Sequence, residues 1–161
     1  MWIGIGIAAL AIGIGVIIGL NKSKAIRQLM KEGRTIKRQI TFVETAEIFT
    51  LSAGEYNRII DTIKGMDFSG TGVAVESNKD KQAVLFKSNG WAAQLYRMET
   101  DGDKDIYCFN FTKWQTYRGI PQNHIQMNIL LTELEKAFLR IDPGTKVENA
   151  RLKTNTKTNF I

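Results

Sequence analysis

The sequence lacks most of the residues on which catalytic and metal sites depend. Its 161 residues include one cysteine, Cys108, and one histidine, His124. A single cysteine cannot form an intramolecular disulfide, and one cysteine with one histidine cannot supply the usual ligands of a zinc site. Cys108 lies in an apolar segment and is expected to be a buried, inert thiol, and His124 to be a surface or capping residue at a helix start. We therefore predict no catalytic residues, no metal site and no cofactor.

Two short motifs resemble ligand-binding loops, but each lacks residues that the ligand needs. The acidic run at 101–105 has Ile106 and Thr112 where a calcium-binding EF-hand loop has glycine and glutamate, so we interpret it as a solvated hairpin tip. The run Gly70-Thr71-Gly72 lacks the later glycine and lysine of a phosphate loop and precedes a predicted strand. Neither motif indicates an enzyme, and no small-molecule ligand is inferred.

Charge is absent from the first twenty residues, MWIGIGIAALAIGIGVIIGL. An uncharged helix of about 20 residues matches the hydrocarbon thickness of a bilayer and satisfies its own backbone hydrogen bonds there. We interpret residues 1–20 as a single transmembrane anchor. A secretory signal peptide begins with basic residues, whereas the basic residues of this chain follow the apolar run, so the anchor is predicted to remain uncleaved.

The basic residues are concentrated directly after this apolar run. The chain has 22 Lys and Arg against 16 Asp and Glu, and the whole surplus lies between residues 21 and 38. Because lysine and arginine beside a membrane span stay on the cytoplasmic side, the predicted topology places the N-terminus outside and the C-terminal domain in the cytoplasm. The rest of the chain is neutral, which argues against nucleic acid as a partner.

Residues 21–39 are predicted to form a basic juxtamembrane helix. Its apolar residues recur at helical spacing, and Gly33 favours a bend within it. The helix lies either along the membrane surface, with its cations near anionic headgroups, or with its apolar stripe against the domain; we favour the first arrangement. The predicted lipid-binding residues are Lys22, Lys24, Arg27, Lys31, Arg34, Lys37 and Arg38.

Small residues recur along one face of the predicted anchor at spacings of three and four. Small side chains let helix backbones approach closely in lipid, where packing drives association, although glycine is also common in membrane helices generally. We predict that this face packs against another membrane helix, including that of a second copy in a homo-oligomer. The residues are Gly4, Ala8, Ala11, Gly15 and Gly19.

The remainder of the chain is predicted to fold as one small domain over 40–152, followed by a flexible tail over 153–161. A strand is expected over 40–51 because of its β-branched and aromatic residues. A helix follows, since a capping box at 52–55 precedes it and Gly65 ends it. Its apolar residues repeat at i, i+3, i+4 and i+7: Tyr56, Ile59, Ile60 and Ile63.

Further strands and a second helix complete the predicted fold. The strands are expected over 72–77, 82–87, 91–100 and 106–115. Their short connections, which include Asn89-Gly90, require antiparallel neighbours. Pro121 is expected to open a helix over 123–140, and a short last strand is expected near 147–152. The predicted fold class is α+β: a four- to five-stranded, mainly antiparallel sheet of the order β-α-β-β-β-β-α, packed on two helices.

The strand over 106–115 is apolar on both of its faces. Tyr107, Phe109 and Phe111 are predicted to point to one face, and Ile106, Cys108 and Trp114 to the other. A strand packed on helices needs only one apolar face, so the second face is either covered by another segment or exposed as a protein-binding surface. The predicted partner surface comprises Tyr107, Phe109, Phe111 and Trp114.

Three functions are compatible with these features. The first, which we prefer, is a single-pass membrane protein, not an enzyme, whose cytoplasmic domain binds a protein partner. The second is an exported component of a surface filament or secretion assembly. An apolar N-terminal helix ahead of an antiparallel sheet resembles the architecture of type IV pilins, although Ile5 stands where that family has a glutamate. The third is an adaptor that senses anionic lipid through residues 22–38.

Overall fold

The computed structural model describes residues 23–52, 56–78, 82–98 and 102–152. The chain divides into two compact units, and the boundary lies between Lys37 and Arg38. The predicted boundary, between residues 39 and 40, lies two residues further along. The predicted anchor, residues 53–55 of the predicted capping box and the tail fall outside the described residues.

Helix α1, described over 23–31, ends in a Schellman motif. The Gly33 N–H donates to the carbonyl of Met30, and the Arg34 N–H donates to the carbonyl of Leu29. Gly33 has a φ of 67°, a left-handed conformation that glycine adopts without the steric penalty of a Cβ atom. The basic helix therefore ends at this glycine, and the prediction that it continues to residue 39 is wrong.

The described residues of the second unit form a 3₁₀ helix, eight strands and two α-helices. In chain order these are the 3₁₀ helix (Ile40–Glu44), β1 (Thr45–Ser52), α2 (Tyr56–Lys64), β2 (Ala74–Asn78), β3 (Ala83–Ser88), β4 (Trp91–Arg97), β5 (Lys104–Trp114), β6 (Thr116–Tyr117), β7 (Ile120–Pro121), α3 (His124–Ile141) and β8 (Lys146–Arg151). Six strands form one antiparallel sheet in the order β2-β3-β4-β5-β1-β8, and β6 and β7 form a separate hairpin.

The predicted α+β class and the antiparallel β2–β5 meander are confirmed. The main sheet has six strands, one more than the upper bound of the prediction, because β1 pairs with β5 on one side and β8 on the other. Helix α2 buries its predicted apolar residues Ile59, Ile60 and Ile63. Helix α3 ends at Ile141, as the following Asp142-Pro143-Gly144 indicated.

Two boundaries differ from the predictions. The expected strand over 40–51 begins only at Thr45, because Ile40–Glu44 forms a 3₁₀ helix that buries Val43 completely. Pro121 does not open the second helix: it lies in β7, after a turn in which Arg118 and Gly119 both have positive φ. Paired positive φ values are the requirement of a tight hairpin turn, so this short hairpin separates β5 from α3.

Helices α2 and α3 cover one face of the six-stranded sheet and enclose the core. From the strands, the core receives Phe49 and Leu51 of β1, Phe86 of β3, Leu95 of β4, and Tyr107, Phe109 and Phe111 of β5. From α3 it receives Met127, Leu130, Leu131, Leu134 and Phe138. The rings of Phe49 and Phe138 stack with centroids 4.2 Å apart, which fixes α3 against the interior strand β1.

Candidate functional site: a buried carboxyl cluster and an uncovered sheet face

A cluster of charged side chains is buried at one end of the core face, where β1 meets α3. Arg38, two residues before the 3₁₀ helix, reaches α3 with its guanidinium group. Its Nε donates to Oδ1 of Asn128 at 2.9 Å, and its Nη2 donates to Oε2 of Glu135. The Arg38 side chain is only 10 % exposed, so this ion pair is largely shielded from water.

Glu47 is the second carboxyl group of this cluster. It occupies an inward position of β1 and is 4 % exposed. Its Oε1 lies 3.8 Å from Nη1 of Arg38, which is ion-pair distance but too long for a hydrogen bond. The Glu47 carboxyl group also shares a hydrogen bond with the carboxyl group of Glu135, which requires that one of the two groups holds a proton. Arg38 therefore compensates Glu135 well and Glu47 only weakly.

Burial alters the proton affinity of both carboxyl groups, and the charge of Glu135 adds to the effect at Glu47. Burial first, and then the negative charge of Glu135, raise the pKa of Glu47 to about 8, against the opposing effect of Arg38. Burial also raises the pKa of Glu135, although Arg38 opposes that increase. Glu47 is therefore protonated at pH 7, and the pair carries about one negative charge opposite one guanidinium group.

Replacing Glu47 with glutamine should weaken the dependence of stability on pH. An unfolded glutamate ionises near 4.5, whereas folded Glu47 keeps its proton until about pH 8. Between these values the folded state binds more protons, so the free energy of unfolding falls as pH rises. Urea unfolding of the full chain from pH 5 to 9 should show this decline, and Glu47→Gln should reduce it. The exposed Glu44→Gln is the control; an equal effect of both substitutions would contradict the assignment.

A cavity of about 230 Å³ lies next to this cluster. Thr45 and Glu47 of β1 and Asn149 of β8 line it from the same face of the sheet, since Asn149 pairs directly with Glu47. Arg38 and Phe42 also line it, and the Phe42 ring packs edge-on against Phe111. The cavity is therefore lined by an aromatic residue, polar residues, a buried carboxyl group and the arginine that faces it.

A second buried ion pair lies further along the same face of the sheet. Arg97 of β4 donates through Nη2 to Oδ1 of Asp105 on β5, and the neighbouring Tyr107 hydroxyl has no hydrogen-bond partner among the described residues. Burial, followed by the charge of Asp105, raises the pKa of Tyr107 to about 12. The Tyr107 hydroxyl is therefore a neutral, buried group at physiological pH.

The opposite face of the sheet is the other candidate site. Its central side chains do not belong to the core cluster, and neither α2 nor α3 covers them. We call this surface the open face and define it by Ile48, Leu85, Tyr96, Ile106 and Cys108. Pairing between Ile48 and Cys108, and between Tyr96 and Cys108, places them side by side. Cys108 is buried among its neighbours, and the other four are half-buried.

The open face contains the only cysteine of the chain. Burial raises the pKa of the Cys108 thiol, and a hydrogen bond with Tyr96 partly opposes the increase. The same contact, together with burial, raises the pKa of Tyr96 to about 12. Both groups are neutral at pH 7, so the open face has no charge at its centre.

The predicted aromatic partner surface is corrected by the structure. Tyr107, Phe109 and Phe111 are at most 2 % exposed and form the centre of the core under α2 and α3. Trp114 was predicted on the opposite face but packs against the core, opposite Trp91. The reason is a β-bulge: the register shifts between Ala92 and Ala93, which reverses the alternation of β5 after Phe111.

The predicted lipid-binding cations are in different surroundings. Lys24, Arg27, Lys31 and Lys37 are exposed and Arg34 is half-buried. Arg38 is bound to Glu135 in the buried cluster, so its guanidinium group is not available to a lipid headgroup. Lys22 and the anchor residues Gly4, Ala8, Ala11, Gly15 and Gly19 lie outside the described residues.

Within the described residues, no helix is both long and apolar enough to span a bilayer. The same part of the chain contains no group of three or more residues that could hold a metal ion. His124 is the first residue of α3, where its Nδ1 lies 3.2 Å from the carbonyl oxygen of Pro121.

The sequence contains a local signal for the unusual position of Glu47. In β1 the inward positions are Thr45, Glu47, Phe49 and Leu51, so a carboxyl group interrupts an apolar alternation. Its partners could not be found this way, because Arg38 and Glu135 are 97 residues apart. No protein-family model matches the chain, and a search of curated proteins finds no match either.

Proposed function

We propose that this protein is a single-pass membrane protein, not an enzyme, whose cytoplasmic α+β domain binds a protein partner through the open face. The observation that carries the proposal is an apolar sheet face that α2 and α3 leave uncovered. An antiparallel sheet in water normally has one apolar and one polar face. This sheet has apolar side chains at the centre of both, which favours a partner on the second.

The composition of the open face is typical of a protein-binding surface. Its centre is apolar and uncharged, and polar groups surround it. Nε2 of Gln94 donates to Oδ1 of Asn110 at 3.1 Å beside Cys108, and Lys87 pairs with Glu76 at the β2–β3 edge. An apolar centre with a polar rim is the usual anatomy of an interface between proteins. Tyrosine, which Tyr96 supplies, is enriched at such surfaces.

The membrane part of the proposal rests on the sequence. Residues 1–20 have no charge, and the basic residues that follow favour a cytoplasmic domain. The exposed cations of the first unit support contact with anionic headgroups at that membrane surface. Self-association through the small-residue face and the exported-assembly alternative stay predictions.

A photo-crosslinking amino acid in place of Tyr96 tests the partner surface. We expect the full chain, produced in its native cells, to form a discrete crosslinked adduct with a second protein when illuminated. Tyr117, which is 61 % exposed on the β6–β7 hairpin, is the matched control position and should form no such adduct. Ile106→Arg places a charge at the centre of the open face and should abolish the adduct at position 96, because a buried, unpaired charge opposes association.

The same experiment separates the two parts of the proposal. Recovery of the chain with the membrane fraction supports the anchor, whereas recovery as a free soluble protein contradicts it. Absence of an adduct at position 96, or equal adducts at positions 96 and 117, contradicts the open face as the binding surface.

A further inference from the structure

We propose that a cavity at the end of the sheet where β3 and β5 both end binds a neutral hexose unit, either as a free sugar or as part of a glycan. The cavity has a volume of about 390 Å³, within the range of about 300–1,000 Å³ that is usual for small-molecule sites. It lies between the turn at 70–72, the β3–β4 turn and the start of α3. Its lining residues are distinct from those of the open face and of the carboxyl cluster, so its function is independent of theirs.

Hydrogen bonds between the loops hold this cavity in shape. The Ser88 hydroxyl donates to the carbonyl oxygen of Thr71 at 3.5 Å, which joins the end of β3 to the turn at 70–72. Nδ2 of Asn123 donates to the carbonyl oxygen of Asn89 at 3.4 Å, which joins the start of α3 to the β3–β4 turn. The cavity is therefore formed before a ligand binds, which reduces the entropy cost of binding.

The turn at 70–72 places bare backbone at the edge of the cavity. Gly70 and Gly72 have φ values of 79° and 64°, a conformation that glycine adopts readily because it has no Cβ atom. Between them, the Thr71 hydroxyl donates to the carbonyl oxygen of Phe68 at 2.6 Å, so the turn is fixed to the segment before it. This turn is not a phosphate loop, but its two glycines allow a ligand to approach the main chain closely.

The lining of the cavity is polar but uncharged. None of the ten described residues that line it is acidic or basic, although 24 % of the residues in the chain are charged. An ion that leaves water needs a counter-charge, and the N-terminus of α3 adds only a partial positive charge. The lining therefore favours an uncharged ligand.

Carboxamide groups supply most of the hydrogen-bonding capacity. Each has two N–H donors and an acceptor oxygen. The side chains of Gln115, Gln122 and Gln126 make no hydrogen bond to another described residue, so their carboxamides can bind a ligand. A hexose presents several neighbouring hydroxyl groups that both donate and accept, and is the complement of such a lining. The five carboxamide residues are Asn89, Gln115, Gln122, Asn123 and Gln126.

Trp91 supplies the apolar part of the lining. It is 2 % exposed, and its ring packs edge-on against Phe111 with centroids 5.9 Å apart, so the core fixes its position. An indole has an apolar surface, against which the C–H groups of a pyranose ring can pack, and one N–H donor. A peptide, in contrast, would find one aromatic residue and no charged subsite for its side chains within this lining.

Titration of the full chain with the methyl glycosides of glucose, galactose, mannose and N-acetylglucosamine tests the proposal. The chain is kept in a detergent without a sugar headgroup, because such a headgroup would compete for the site. We expect at least one glycoside to bind saturably and to shift the carboxamide NMR signals of Gln122 and Gln126. The Gln94 carboxamide signal is the internal control and should not move, since Gln94 is bound to Asn110 on the open face.

Three other ligands define what the site recognises. Cyclohexanol has a ring of similar size but one hydroxyl group, and it should bind about tenfold or more weakly than the best glycoside because it makes fewer hydrogen bonds. Acetyl-triglycine amide and sodium phosphate test for a peptide and an anion. Saturable binding of either without saturable binding of a glycoside would overturn the proposal.

Replacing both Gln122 and Gln126 with alanine should reduce the affinity for the best glycoside about tenfold or more. Gln122 is exposed and Gln126 half-buried, so the double variant should keep the urea midpoint of the wild type. Gln39→Ala removes an exposed carboxamide outside this cavity and should leave the affinity unchanged. Unchanged affinity in the double variant, or no saturable binding of any glycoside, would overturn the proposal. If the double variant is destabilised, the wild-type spectra decide, because glycoside-induced shifts at Gln94 but not at Gln122 and Gln126 contradict the site.

A comparison of a sugar with its oligosaccharide identifies the source of the hexose. The two ligands are the free form of the best-bound sugar and a linear trisaccharide of the same sugar. Tighter binding of the trisaccharide assigns the site to a glycan, whereas equal or weaker binding assigns it to a free sugar.

Discussion

Replacing Arg38 with methionine should lower the free energy of unfolding by about 3–5 kcal/mol at pH 7, because the single negative charge that the Glu47–Glu135 pair carries loses its counter-charge. The Arg38 guanidinium binds Glu135 and Asn128, and its Nη1 also lies 3.8 Å from Oε1 of Glu47. The loss should be larger at pH 9 than at pH 7, because Glu47, whose pKa is about 8, then carries a second negative charge that Arg38 opposes in the wild type.

Urea unfolding of the full chain in detergent, followed by tryptophan fluorescence, measures this change. Lys37→Met removes the same charge at the adjacent exposed position and should change the free energy of unfolding by less than about 0.5 kcal/mol. A second variant that combines Arg38→Met with Glu135→Gln should recover part of the loss, since the two residues are in contact. If Arg38→Met and Lys37→Met have the same free energy of unfolding, the contacts of Arg38 do not contribute to the stability of the fold.

Replacing Phe138 with alanine should lower the free energy of unfolding by about 3–5 kcal/mol, the range for large-to-small changes at fully buried aromatic positions. Phe138 is completely buried on α3 and contacts two strands at once. Its ring stacks on Phe49 of β1 and lies 5.5 Å from that of Tyr107 on β5. The substitution therefore removes the ring contacts that join this helix to both β1 and β5.

The adjacent residue provides the control for this prediction. Leu139→Ala shortens a side chain on the same helix that is 44 % exposed, and it should cost about 0.5 kcal/mol or less. Both variants should retain the helical circular-dichroism signal of the wild type at low urea concentration. Equal urea midpoints for the two variants would mean that buried Phe138 contributes no more to stability than exposed Leu139.

Elements with strong local signals could be predicted from the sequence. Helix α2 followed from an apolar repeat with Gly65 after it, and the β3–β4 hairpin followed from Asn89-Gly90, where Gly90 has a φ of 88°. Each of these signals is contained within a few residues. The 3₁₀ helix at Ile40–Glu44 was missed because its apolar residues suit a strand equally well.

Features that depend on distant contacts could not be predicted. The place of β1 between β5 and β8 depends on pairings such as Phe49 with Tyr107 and with Val147, which no local pattern specifies. The bulge in β5 turned Trp114 to the core and made strict alternation fail at that position. The carboxyl cluster was missed for the same reason, since its members come from three separate segments.

The position of β1 inside the sheet has a consequence for folding during synthesis. β1 starts at Thr45, but its partner β8 starts at Lys146, so one edge of β1 has no neighbouring strand while the intervening chain is translated. At about 5–20 residues per second, that interval lasts about 5–20 s. β1 therefore exposes backbone donors and acceptors on the nascent chain during this interval. The native sheet is completed only after nearly the whole domain has left the ribosome.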